Sequence, residues 1–164
     1  MSLFTGSAVA IITPFNNDGS INYDAFKKMV DDQIAAGTAA IVVAGTTGEA
    51  STIDDAEQIK LIKFCVDTVN KRVPVIAGAG SNDTAHAIEL AKLAEEAGAD
   101  GLLIVTPYYN KTTQKGLVKH YTAIAESVNV PIIVYSVAGR TGLNITPATV
   151  KELSKVKNIV AIKG

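Results

Sequence analysis

Cysteine is almost absent from this chain: Cys65 is the only one in 164 residues. A single thiol builds neither a disulfide framework nor a thiolate metal site, and such poverty suits a reducing compartment. Cys65 falls within a helical pattern, so it reads as core filling rather than as a nucleophile. Long apolar runs are missing as well. No stretch approaches the ~18 residues that cross a bilayer, and the N-terminus lacks the basic start and apolar segment of a secretory signal. The expectation is a soluble, cytoplasmic protein. An excess of one charge is also lacking: the net charge of −1 leaves no electrostatic footprint for nucleic acid or an anionic membrane. Partners are therefore expected among small molecules and proteins.

Familiar site motifs are missing too. No G-x-G-x-x-G follows the first strand pattern and no Walker lysine occurs; Gly78-Ala79-Gly80 is too short for a dinucleotide fingerprint and reads as a tight turn between strand and helix. His86 and His120 lie far apart in helical stretches without ligand spacing, which makes them surface or packing residues and leaves no metal site. Lys111, Lys115 and Lys119 read as a solvated face.

What is present is an alternation. Short apolar runs occupy Ala8 to Ile12, Ala39 to Val43, Val73 to Ala77, Gly101 to Val105, Pro131 to Tyr135 and Ile159 to Ile162, each without the period-2 pattern of a half-exposed strand. Such strands need both faces covered. Helical patterns fill the gaps: Tyr23 to Ala36, Asp54 to Asn70, Asp83 to Ala97, Gln114 to Ser127 and Pro147 to Lys155. Asp83 and Thr146 are candidate N-caps, the latter followed by Pro147 at the first helical position, while Gly37 and Gly98 supply left-handed ends. Six strands and five crossover helices, without linkers or low-complexity segments, describe one α/β domain over residues 1–164 with a parallel sheet. It is either a complete doubly wound sheet or a (β/α)8 TIM barrel truncated after strand 6.

The polar residues favour the barrel. Thr13, Thr46, Thr47, Glu49, Tyr108, Tyr109, Tyr135, Arg140 and Lys163 all fall just after strand C-termini, the rim on which barrel enzymes build their sites. Lys163 is the most telling of them, because an ammonium at the end of an apolar, buried strand must be paired, reach water or give up its proton. A neutral lysine is a nucleophile, which suggests Schiff-base chemistry. Gly45-Thr46-Thr47-Gly48-Glu49 is either a tight turn capping the next helix or a set of N–H groups and hydroxyls that hold a carboxylate. Tyr108 and Tyr109 could simply pack at a strand end, but with Tyr135 and a threonine hydroxyl they could also relay protons. Arg140, flanked by glycines, is either a surface ion-pair partner or a fork for a substrate carboxylate.

These motifs together, G-T-T-G-E at 45–49, T-P-Y-Y-N at 106–110, Y-x-V-x-G-R-T-G at 135–142 and I-x-x-I-K ending at Lys163, resemble the dihydrodipicolinate synthase family of pyruvate-dependent class I aldolase-like lyases. The resemblance covers the whole chain. It implies that Lys163 forms an iminium with pyruvate, whose enamine adds to aspartate semialdehyde in lysine and diaminopimelate biosynthesis. Thr46, Thr47 and Gly48 would hold the pyruvate carboxylate, Arg140 the second substrate's carboxylate, and Tyr135 would pass protons through Thr47 to Tyr109. The residue matching Tyr109 crosses a dimer interface in the family, so a homo-oligomer, dimer or higher, is implied; no metal or organic cofactor is. Sister aldolases for N-acetylneuraminate or 2-keto-3-deoxy sugar acids, and a catalytically silent truncated scaffold, are the alternatives.

The sequence departs from the family in four respects, the first being Gly164 where Glu usually follows the lysine. Ser136 and Ala138 replace Asn and Pro beside Arg140, which removes a backbone restraint. Asp55, Gln58 and His86 stand where lysine-inhibited members carry two histidines and a glutamate, so feedback by lysine is not expected. Family members also run to nearly twice this length. Turnover is expected to be impaired or absent, and the edges of strands 1 and 6 are expected to pair with another chain or to rearrange.

Overall fold

The computed structural model describes residues 3–164. Strands β1 (Ala8–Ala10), β2 (Ala40–Val43), β3 (Val75–Gly78), β4 (Gly101–Val105), β5 (Ile132–Tyr135) and β6 (Ile159–Lys163) form one sheet, each pairing in parallel with the next in sequence. The crossovers carry helices α1 (Tyr23–Ala35), α2 (Asp55–Val69), α3 (Thr84–Glu96), α4 (Gln114–Ser127), α5 (Ala138–Thr141) and α6 (Pro147–Leu153). A doubly wound sheet reverses its strand order at a switch point and carries helices on both faces. Here the order runs from β1 to β6 without reversal. The sheet is therefore an open part of a (β/α)8 barrel, with the helices on its outer face.

Helix starts follow local chemistry. Asn22, Asp54, Asp83, Thr113 and Thr146 each accept a backbone N–H of the first turn, as capping residues do. Gly37 and Gly98 stand at φ +92° and +96° just past α1 and α3, a conformation that costs glycine little. Pro74 has no N–H to give a ladder, and β3 begins one residue after it.

The two sheet faces pack differently. The outer face sends Ile41, Val43, Ala77, Leu102, Ile104, Ile132 and Val134 against helix residues such as Phe26, Leu61, Leu90, Leu117 and Ile124, all within one buried cluster. Burial of each large side chain there contributes about 1.5–3 kcal/mol. The inner face holds a separate, smaller cluster of Ala40, Val42, Ile76 and Leu103, with Leu3, Phe4, Ile133 and Tyr135 against it. Cys65 is fully buried on α2, and that burial pushes its thiol up to about 12. The thiol thus stays protonated at pH 8, and iodoacetamide is expected to label it only after urea unfolding; fast labelling of the native protein would contradict this packing.

Two expectations need correction. The last crossover carries a second helix, α5, a single turn closed by Gly142 at φ +68°. Four residues are too short to show a helical period. More important, β6 is not a buried strand: beyond Ile159 all its residues are exposed, with Val160 at 54% and Ile162 at 45%. The reason is position. Among the described residues β6 is an edge strand that pairs with β5 alone. At the other edge Ala8 is also exposed, and Ile12 just beyond β1 is 49% exposed.

One irregularity in the sheet has a large consequence. Ile132 pairs with Ile159 but Ile133 pairs with Ala161, so Val160 is an extra residue in β6. A one-residue slip moves side chains to the opposite face. Without the bulge Ile162 would stand opposite Tyr135; with it, Lys163 does.

Candidate active site

The loop after β2 begins with a strained residue. Ala44 is buried at φ +53°, a left-handed conformation that costs a side-chain-bearing residue about 1 kcal/mol or more. The chain then folds back: Glu49 N–H donates to the Thr46 carbonyl at 3.1 Å, and Ala50 N–H to that of Gly45 at 3.4 Å. The buried Thr13 hydroxyl, at the end of the first strand segment, donates to the Gly48 carbonyl at 2.7 Å. A Cβ on Gly48 would stand 3.2 Å from both the Ile11 carbonyl and the Thr13 hydroxyl, so the close approach suits glycine. The result is a fixed turn that presents the exposed Thr46 and Thr47 at the rim.

Beside this turn lies a cavity of about 480 Å³. Among the residues expected at a site, Thr46, Tyr108, Tyr135 and Arg140 line it together, from the ends of β2, β4 and β5 and from α5. α5 places Arg140 at the cavity, and the buried Thr141 ties that turn by donating to the Leu143 carbonyl at 3.1 Å. The loop thus keeps a defined shape although Ser136 and Ala138 offer no proline restraint.

Lys163 meets this cavity through Tyr135. Its Nζ lies 3.9 Å from the centroid of the Tyr135 ring, a cation–π contact between register partners on β5 and β6. Lys163 is exposed, not buried as the apolar run before it implied. Uncovered β6 lets the side chain reach water.

Other expected residues are not brought together. The side chain of Tyr109 is 91% exposed on a residue at φ +64° and does not line the cavity. Thr47 sits at the rim, and among the described residues no side-chain hydrogen bond joins it to Tyr135 or Tyr109. A relay through these three groups is not assembled within one chain.

The structure joins Asp55 and His86, two of the positions matching the family's effector pocket, to Ser81 in a hydrogen-bonded cluster. Ser81 Oγ lies 3.1 Å from His86 Nδ1, and His86 Nε2 lies 2.8 Å from Asp55 Oδ2. Gln58, also at the cavity, donates to the Gly78 carbonyl at 2.8 Å. Asp55, Gln58 and His86 fall in the first turns of α2 and α3, which the barrel topology brings to the same rim, and Ser81 is the member that no motif in the sequence marks. Among the described residues no group of three or more His, Cys, Asp or Glu is placed to hold a metal ion, and no helix is long and apolar enough to cross a membrane.

Comparison with known proteins gives a consistent picture. The dihydrodipicolinate synthetase family matches residues 3–164. The 4-hydroxy-tetrahydrodipicolinate synthases of Acetivibrio thermocellus and Geobacter metallireducens are each 60% identical over 161 residues, 98% of this chain and 55% of theirs. Among solved structures, a chloride-inhibited dihydrodipicolinate synthase from Acinetobacter baumannii, complexed with pyruvate, superposes with a TM-score of 0.95 at 51% identity, over 96% of this chain and 54% of that one. The dihydrodipicolinate synthase of Thermotoga maritima gives 0.96 at 43% identity, over 99% and 55%. The chain thus spans about half the length of the relatives it matches.

Proposed function

The chain belongs to the dihydrodipicolinate synthetase family, and we propose that it carries the Schiff-base half of a synthase that condenses pyruvate with aspartate semialdehyde. One observation supports this above the others: the Lys163 amine lies over the Tyr135 ring at the wall of a cavity that Thr46 and Arg140 also line. The neutral amine adds to the ketone of pyruvate, and loss of water gives an iminium. Loss of a methyl proton then gives an enamine, whose carbon attacks the aldehyde. The amino group of the second substrate closes the ring by displacing Lys163, which restores the free amine. The iminium is the electron sink, so no metal or organic cofactor enters.

Thr46, Thr47 and the turn fixed at Gly48 offer hydroxyls and N–H groups to the pyruvate carboxylate. Tyr135 is positioned to exchange protons at the imine, with Thr47 as the next group and Tyr109 of a second copy completing the path in a homo-oligomer. That arrangement accounts for a Tyr109 phenol standing in solvent in a single chain. The relatives named above are 4-hydroxy-tetrahydrodipicolinate synthases, which favours a cytoplasmic enzyme of lysine and diaminopimelate formation.

Arg140 separates this reading from cleavage of sugar acids. Arg140→Ala is expected to leave pyruvate trapping unchanged and to raise the half-saturating concentration of aspartate semialdehyde about tenfold or more, the scale of a lost charge-assisted contact. A coupled assay with each substrate varied measures both. Cleavage of N-acetylneuraminate or a 2-keto-3-deoxy sugar acid by the unaltered protein, with no consumption of aspartate semialdehyde, would overturn it.

A further inference from the structure

A second cavity, of about 430 Å³, lies between the turn after β4, the start of α3 and the N-terminal half of α4 and shares no lining residue with the first. No acidic residue lines it. Its polar wall is made of Asn82, Thr84, Lys111, Thr112, Lys119 and His120. His120 is 5% exposed, its Nδ1 lies 2.8 Å from the Thr84 hydroxyl, and its Nε2 is buried without a hydrogen-bond partner. If Thr84 donates to Nδ1, the ring proton sits on Nε2 and is left without an acceptor. An unpaired buried donor is destabilising, and an arriving acceptor satisfies it. Neither Lys111 nor Lys119 has an ion-pair partner among the described residues. The Thr112 hydroxyl packs directly on Gly116, where a Cβ would stand 2.0 Å from it.

We propose that this cavity binds a phosphate group, free or carried on a small molecule, with Lys119, and Lys111 once its amine turns in from Gly142, supplying charge, and His120 Nε2 and the Thr112 hydroxyl supplying directed donors. Two ammonium groups match a dianion, and donors spread over several chain segments match a tetrahedral ligand better than a planar carboxylate. The volume exceeds what inorganic phosphate fills, which leaves room for the small molecule that carries it.

The chain has two histidines, so a His86→Gln variant leaves a single imidazole signal, that of His120, to follow by NMR. Inorganic phosphate and glycerol phosphate are titrated separately at constant ionic strength, with sodium chloride as the reference. The expected result is a saturable shift of the His120 signal with one or both, weakened tenfold or more in Lys111→Ala/Lys119→Ala and in His120→Gln read by calorimetry. Tighter binding of glycerol phosphate identifies a phosphomonoester as the ligand, and tighter binding of inorganic phosphate identifies the free ion. No shift beyond that of chloride, or an equal shift in the double lysine variant, overturns the site. Both lysines are exposed, so that variant is expected to fold, which its thermal unfolding checks.

Discussion

Gly78→Ala is expected to cost about 3 kcal/mol or more, a large part of the 5–15 kcal/mol that holds a domain together. A Cβ on Gly78 would stand 2.0 Å from the Ala44 carbonyl oxygen and 2.7 Å from its carbon. Both are backbone atoms, so relief requires the chain to move rather than a side chain to turn. Ala44 has little freedom to yield, because it is buried and already held at φ +53°. Any shift there is carried into the turn that presents Thr46 and Thr47, and the Gln58 bond to the Gly78 carbonyl moves with it. The loss appears as a lower urea midpoint at unchanged slope, with the unfolding temperature falling by roughly 6–12 °C for a chain of this size. Gly139→Ala is the matched control, since nothing lies within 4 Å of its added Cβ and the residue sits in α5. That change is expected to stay within about 1 kcal/mol of the unaltered protein. Equal effects of the two substitutions would mean that the close approach of β3 to the loop after β2 is not there.

The second large effect concerns chemistry rather than stability. Lys163→Arg keeps a cation that can lie over the Tyr135 ring, yet guanidinium forms no imine with a ketone. Reductive trapping with pyruvate is expected to fall to background in this variant. Its thermal unfolding should hardly change, because residue 163 is exposed and its interaction with Tyr135 is worth about 0.5–1 kcal/mol at such a site. A drop in trapping together with a large drop in stability would point to structural damage instead.

Much of the architecture was legible because it depends on neighbours in sequence. Caps at Asp83 and Thr146, the glycines after α1 and α3, and the serial alternation of strands and helices each rest on a few adjacent residues. What was not legible depends on contacts made far along the chain, or on contacts not made. The run Ile159 to Ile162 has the apolar character of a strand covered on both faces, but cover is a property of what packs on it, and β6 lies at an edge. The extra residue at Val160 carries no glycine or proline to announce it, yet it decides that Lys163 rather than Ile162 faces Tyr135. Arg140 lines the cavity from a one-turn helix that is too short to read in the sequence. Ser81, His86 and Asp55 belong to two successive βα units, and no spacing in the sequence marks their hydrogen bonds.

The central claim is that one lysine, set by the bulge in β6, is the amine that captures pyruvate. Incubating the unaltered protein with pyruvate and borohydride, then measuring intact mass and mapping the adduct to a peptide, tests it most directly. The account predicts a single reduced pyruvyl adduct on the peptide that contains Lys163. No adduct, or one spread over the surface lysines, contradicts it.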